Sequence, residues 1–148
     1  RLRNDAVWSS VGGCKLAYGS TLEILDNAVF DSKYFTMNSN SVIIAAKKIQ
    51  FGQDVMIGRN VVIYDSDHHI IRDEEGNISN FDAPVIIGDH VWLATNVTVL
   101  KGAVIGMGSV IAANAVVHGN VSSKSIYRNI EKTDVKKNYG SWERQRPK

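Results

Sequence analysis

The stretch Val85-Ile86-Ile87-Gly88-Asp89-His90-Val91-Trp92-Leu93-Ala94-Thr95-Asn96-Val97-Thr98-Val99, continuing through Ile105 and Ile111 to Val117, repeats itself every six residues. Aliphatic side chains stand at Ile87, Leu93, Val99, Ile105, Ile111 and Val117, and a second inward series stands two residues earlier at Val85, Val91, Val97, Ala103, Ser109 and Ala115. A helix would place apolar residues three and four apart, and a simple half-buried strand would alternate without end. Two inward positions followed by a break describe a short strand that turns a corner. The residue after the inward aliphatic is small at Gly88, Ala94, Gly106 and Ala112, where a tight turn or close stacking excludes bulk. Units this short cannot bury a face alone. They must stack as coils of a solenoid, three sides to a coil.

Working outward, the same register returns upstream at Phe51, Ile57 and Ile63, with Ile43, Ile49, Val55 and Val61 as partners. Before residue 40 it loosens, and Leu22, Ile24, Ala28 and Phe30 suggest earlier coils whose register has slipped. A sandwich of antiparallel hairpins would vary its strand and loop lengths, unlike the constant spacing from Val85 to Val117. The chain of 148 residues is expected to be one domain, with a solenoid over about 20–121, a projecting loop over 65–84 and a tail over 122–148.

The bulk numbers narrow the function. A formal charge of +2 is too small for a nucleic-acid binder, and no run of apolar residues is long enough to span a membrane. The first residues carry no apolar stretch of the signal-peptide kind, and Cys14 has no partner for a disulfide, so a cytoplasmic location is expected. Cys14 reads as an inert buried thiol, not a nucleophile. Basic residues crowd the end: Lys124, Arg128, Lys132, Lys136, Lys137, Arg144, Arg146 and Lys148 against Glu131, Asp134 and Glu143. A solvated tail is the plain reading, and a phosphate contact through Lys124 or Arg128 the sharper one.

The repeat is interrupted between Ile63 and Val85 by a polar loop that opens Tyr64-Asp65-Ser66-Asp67-His68-His69 and ends at Pro84. Solenoids place binding elements on such loops. An imidazole beside a carboxylate suits general-base catalysis, because the carboxylate fixes the tautomer and stabilises the imidazolium. If residues 64–69 stay extended, Asp65, Asp67 and His69 share one side and Ser66 and His68 the other.

At these residues the chain resembles the hexapeptide-repeat acyltransferases, in particular the maltose, galactoside and capsular-polysaccharide O-acetyltransferase branch. The resemblance runs from about Ile43 to Val121 and rests on Ile57-Gly58-Arg59-Asn60-Val61, Asp65-Ser66-Asp67-His68-His69, Ile87-Gly88-Asp89-His90-Val91-Trp92-Leu93-Ala94 and Leu100-Lys101-Gly102-Ala103-Val104-Ile105-Gly106. It implies an all-β fold, the left-handed parallel β-helix, assembled as a homotrimer with acetyl-coenzyme A between subunits. It also implies a loop histidine as general base. The Asp-Ser-Asp-x-His pattern of polysaccharide-modifying members puts the base at His69, whereas counting back from Trp92 in the galactoside pattern points to His68. The nearer motif, and the side shared with Asp67, favour His69.

Acetyl transfer to a hydroxyl of a saccharide acceptor would then proceed directly, with backbone amides or Asn60 at the oxyanion. The pantetheine arm would pass Ala94, Thr95, Ala112 and Ala113, with Trp92 a groove-wall candidate. Packing between subunits would cover apolar edges around Trp92 and Val97. The chain departs from the family at Ile126-Tyr127-Arg128-Asn129-Ile130-Glu131-Lys132, which lacks the usual glycine and proline of the closing turn. Two other readings compete. Some left-handed β-helices are zinc carbonic anhydrases, but His68, His69, His90 and His118 lack their histidine spacing, so no metal is expected. The other is a noncatalytic module that only binds a glycan or partner.

Overall fold

The computed structural model describes residues 1–129, 141–143 and 145. Its strands form three parallel sheets that wind as a left-handed β-helix of about six turns. The first face holds β1 (Val7–Ser10), β4 (Val29–Ser32), β7 (Lys48–Phe51), β11 (Val85–Ile87), β14 (Val104–Ile105) and β17 (Asn120–Val121). The second holds β2 (Cys14–Leu16), β5 (Phe35–Met37), β8 (Val55–Ile57), β12 (Trp92–Leu93), β15 (Val110–Ile111) and β18 (Ile126–Tyr127). The third holds β3 (Thr21–Ile24), β6 (Val42–Ala45), β9 (Val62–Tyr64), β13 (Thr98–Val99) and β16 (Val116–Val117). Outside the coils, β10 (Ile70–Arg72) pairs antiparallel with β19 (Ser141–Glu143).

Every inward position read from the hexad is buried, from Val85 and Ile87 through Ala115 and Val117, and upstream from Ile43 to Ile63. Each aliphatic among them stabilises the stack by roughly 1.5–3 kcal/mol relative to exposure. The loosened upstream region is coiled too. Phe30 pairs with Ile49 and Phe35 with Val55, so the step between these two sides is five residues instead of six. Between Ile43 and Ile49 the chain carries extra residues at Ala45–Lys48. The slip therefore sits at two corners, and the strands stay in line. An edge-to-face trio fills the core here, with ring centroids 5.7 Å apart for Phe30–Phe35, 5.1 Å for Phe30–Phe51 and 5.4 Å for Phe35–Phe51.

The small residues of the hexad serve close stacking. Gly58 has an ordinary backbone, yet a Cβ there would lie 2.8 Å from the Ala94 carbonyl carbon of the next coil. The tight turns lie elsewhere, at left-handed corners. Asn40, Asn60, Asn96 and Asn114 have φ of 61°, 55°, 60° and 62° and form one column. Asn tolerates this region because its short side chain finds local hydrogen bonds. Here Asn60 Nδ2 donates to Asn96 Oδ1 (3.1 Å), and Asn96 Nδ2 to Asn114 Oδ1 (3.0 Å). Val97 points into the core with no exposed surface, so it cannot supply an apolar edge for a subunit contact; Trp92, on the outer face, can.

Candidate active site

The loop leaves the solenoid after β9 and rejoins it at β11, the corner between the third and first faces. Its root is fixed by Asp65. That carboxylate is fully buried, and it accepts N–H bonds from Ala46 (2.7 Å, Oδ1), Lys47 (2.8 Å, Oδ2) and Lys48 (2.6 Å, Oδ2). Burial pushes its carboxyl above the ordinary aspartate value; the three N–H bonds pull it back and the nearby Asp82 adds to the rise. Asp65 is thus spent on the turn at Ala46–Lys48 and is no partner for a histidine. From the root the loop forms a small hairpin. β10 runs out, Asp73 Oδ1 accepts the N–H groups of Glu75 and Asn77, Gly76 turns at φ 87°, and Ile78 returns beside Arg72.

The extended geometry expected for residues 64–69 does not form. β9 ends at Tyr64, and His68 sits in the left-handed region at φ 61°, its N–H donating to Ser66 Oγ (2.9 Å). Side chains therefore do not alternate here, and the shared side of Asp65, Asp67 and His69 is no longer an argument. The two histidines have different surroundings. His68 is half-buried with its ring edge-on to Tyr64 (centroids 5.3 Å), and its Nε2 is shut off from solvent. His69 is exposed. Asp67 Oδ2 meets Lys101 Nζ (2.5 Å) and Asn80 Nδ2 (2.9 Å). Neither Lys101 nor Asn80 was legible as a site residue, because each is distant from the Asp-Ser-Asp motif along the chain.

A surface groove lies on the second face and its far corner, lined by Met56, Gly58, Arg59, Trp92, Ala94, Thr95, Val110, Ala112 and Ala113 with Asn38. It unites the five groove residues expected from the resemblance. Strand register explains the grouping. Met56, Trp92 and Val110 are successive outward residues of β8, β12 and β15, with Ile126 of β18 next in line. Gly58, Ala94 and Ala112 follow them at the edge. The Ala112 N–H donates to the Tyr127 carbonyl, so Arg128 continues this column one coil on, and it is exposed. Lys124 does not join it: at φ 56° it stands at the opposite corner of the second face, in line with Gly108. Asn60 is held in its corner ladder by Asn96, to which its Nδ2 donates one hydrogen bond.

The tail is only partly described, and Lys132, Lys136, Lys137, Arg144, Arg146 and Lys148 lie outside the described residues. Its strand β19 returns to the loop and pairs Glu143 with Ile70, Trp142 with Ile71 and Ser141 with Arg72. This departs from a wholly solvated tail. His90 Nδ1 lies 2.7 Å from Asp54 Oδ2 on an exposed corner, and among the described residues no group of three or more His, Cys, Asp and Glu is placed to hold a metal ion. Cys14 is half-buried where a buried thiol was expected, and what burial it has raises the thiol above its ordinary value.

Residues 84–119 match the family described as bacterial transferase hexapeptide (six repeats). Those residues carry hexapeptide repeats, and relatives that the chain matches are acetyltransferases by name. It is 30% identical over 100-odd residues to the galactoside O-acetyltransferase of Escherichia coli, covering 68% of this chain and 46% of that protein. Among solved structures, the polysialic acid O-acetyltransferase OatWY superposes with a TM-score of 0.67 at 24% identity, covering 88% of this chain and 74% of that one. A hexapeptide-repeat acetyltransferase of Vibrio cholerae, solved with acetyl-coenzyme A, superposes at 0.57 with 24% identity, over 83% of this chain and 65% of that one. The chain spans about half the length of curated relatives it matches.

Proposed function

We propose that the protein transfers an acetyl group from acetyl-coenzyme A to a saccharide hydroxyl, with His69 as general base. The observation that carries the choice of base is the contrast between the paired histidines: His69 is exposed at the mouth of the hairpin, while the Nε2 of His68 is buried beside Tyr64. His69 takes the proton of the acceptor hydroxyl as its oxygen attacks the thioester carbonyl. The imidazolium then returns that proton to the departing thiolate of coenzyme A, so no acyl-enzyme forms. Backbone amides near the groove serve the oxyanion, or Asn60 does through the second hydrogen of its Nδ2. The donor's pantetheine arm lies along Gly58, Ala94 and Ala112, where the absence of bulk lets it approach the backbone. The names of the relatives support acetyl transfer to a sugar. The supply of acetyl-coenzyme A to such a reaction favours the cytoplasm, and no helix among the described residues is long and apolar enough to cross a membrane.

The groove and the hairpin occupy different corners. The groove ends where the second face meets the third, and the hairpin leaves where the third meets the first. A whole face separates them in one chain. This arrangement supports a homotrimer in which the hairpin of one subunit meets the groove of the next. The exposed apolar column of Met56, Trp92 and Ile126 suits that contact.

The deciding experiment replaces His69 with Ala. Transfer measured by thiol release should fall by about 10²- to 10⁴-fold with acetyl-coenzyme A affinity unchanged, and His68→Ala should lose far less. Full activity in His69→Ala would end the assignment.

A further inference from the structure

We infer that Asn80 and Lys101 are positioning residues that aim His69; the inference rests on His69 being the base. Asn80 lies on the return limb of the hairpin and is 7% exposed. Its Nδ2 donates to the carbonyl oxygen of His69 (2.7 Å) and to Asp67 Oδ2 (2.9 Å), while its Oδ1 accepts the N–H of Ile71 (2.7 Å). One carboxamide thus grips the backbone on both sides of Ile70, directly after His69. Its orientation is forced: a flipped amide would set an NH₂ against the Ile71 N–H and an oxygen against a carboxylate and a carbonyl. Lys101 comes from the next coil's corner and donates from Nζ to Asp67 Oδ2 (2.5 Å) and to the Asn80 carbonyl (2.8 Å). The coil, the outgoing limb and the return limb are joined at the point where His69 projects.

This frame is additional to what holds the hairpin on the solenoid. Asp65 fixes the root, the Ala83 N–H donates to the Asp65 carbonyl, Lys47 Nζ donates to the Asp82 carbonyl, and Asp73 and Gly76 make the turn. None of those bonds touches residues 67–71; the far end of that segment is also held by Ser79, whose N–H and Oγ donate to the Ile71 carbonyl, and by β19. The contacts of Asn80 and Lys101 are concentrated there, so their loss should disturb the direction of His69 more than the attachment of the loop. Asp67 takes a matching part: its carboxylate is the anchor that ties Lys101 to Asn80.

The test uses Asn80→Ala, Lys101→Met and Lys101→Arg in the full chain. In the first two, kcat should fall about 10- to 100-fold while the KM for acetyl-coenzyme A stays within about two-fold, because misplacing a reacting group by about 1 Å costs that much and the groove is untouched. Lys101→Arg keeps the charge and should recover most of the loss. The ring resonance of His69, assigned by its disappearance in His69→Ala, should shift or broaden in Asn80→Ala and Lys101→Met, with those of His90 and His118 unmoved. Wild-type kcat, or a loss of kcat with an unmoved His69 resonance, overturns the inference. If His69→Ala is fully active, the base assignment fails instead, and the resonance still decides whether Asn80 and Lys101 hold this segment.

Discussion

Asp65 and Asp67 stand two residues apart in one motif, and their environments give them unrelated tasks. Asp65 is a buried acceptor for three N–H groups, whereas Asp67 is exposed and tied to a lysine. Because the folded-state carboxyl of Asp65 is raised by burial, it holds its proton more tightly in the fold than in the unfolded chain. Its titration therefore favours the fold fully below the ordinary aspartate value, and that advantage is lost as pH rises through the raised value. Asp65→Asn removes the titration and turns an NH₂ toward an N–H donor, which should cost about 1–3 kcal/mol. The gap in unfolding free energy between wild type and Asp65→Asn should narrow from about pH 3.5 to about pH 7. Denaturant titrations at the two pH values measure it; a gap that widens toward neutrality would contradict the raised carboxyl.

At the scale of elements, the second face and the tail strand carry separate expectations. Arg128 continues the column of Gly58, Ala94 and Ala112, and Lys124 stands across the face. Arg128→Ala should raise the KM for acetyl-coenzyme A about 2- to 5-fold with kcat nearly unchanged, the usual yield of an exposed charge contact, and the effect should shrink with salt. Lys124→Ala should leave KM alone. Equal effects from both would remove the column argument. The pairing of β19 with β10 places Ser141–Glu143 beside the hairpin that carries His69. Ending the chain before Ser141 should speed amide exchange at Ile70–Arg72 and leave coil amides such as Ile111 protected, since local opening follows local contacts. Unaltered exchange at Ile70–Arg72 would argue that the strand contributes nothing to the loop.

For the whole molecule, the separation of hairpin and groove makes the assembly testable through function. His69→Ala spoils the hairpin, and Ala112→Trp fills the groove; each homotrimer should be nearly inactive. Refolded together in equal amounts, they should regain activity at about one quarter of the sites, the random share in which an intact hairpin meets an intact groove across a cyclic interface. Mixtures that stay inactive while forming mixed trimers would place both elements of a site in one subunit. Light scattering that gives a monomer at micromolar concentration would remove the trimer outright.

The six-residue period determined the stacked coils, the inward residues and the position of the insertion, because each is a local consequence of strand alternation and corner size repeated many times. The groove residues Trp92, Ala94, Thr95, Ala112 and Ala113 came from the resemblance, and the period alone did not single them out; stacking in register brings them together on one groove. The hairpin follows no period, so residues 64–69 bend at His68 where extension was expected, and Asp65 goes to a turn instead of a histidine. Asn60 also stands in a left-handed corner and its ladder, a setting that its motif did not reveal. Only the tertiary structure brought Asn80 and Lys101 to Asp67 and His69, or returned β19 to the loop. Those contacts join segments far apart in the chain by hydrogen bonds to single atoms, and no local propensity or spacing encodes them.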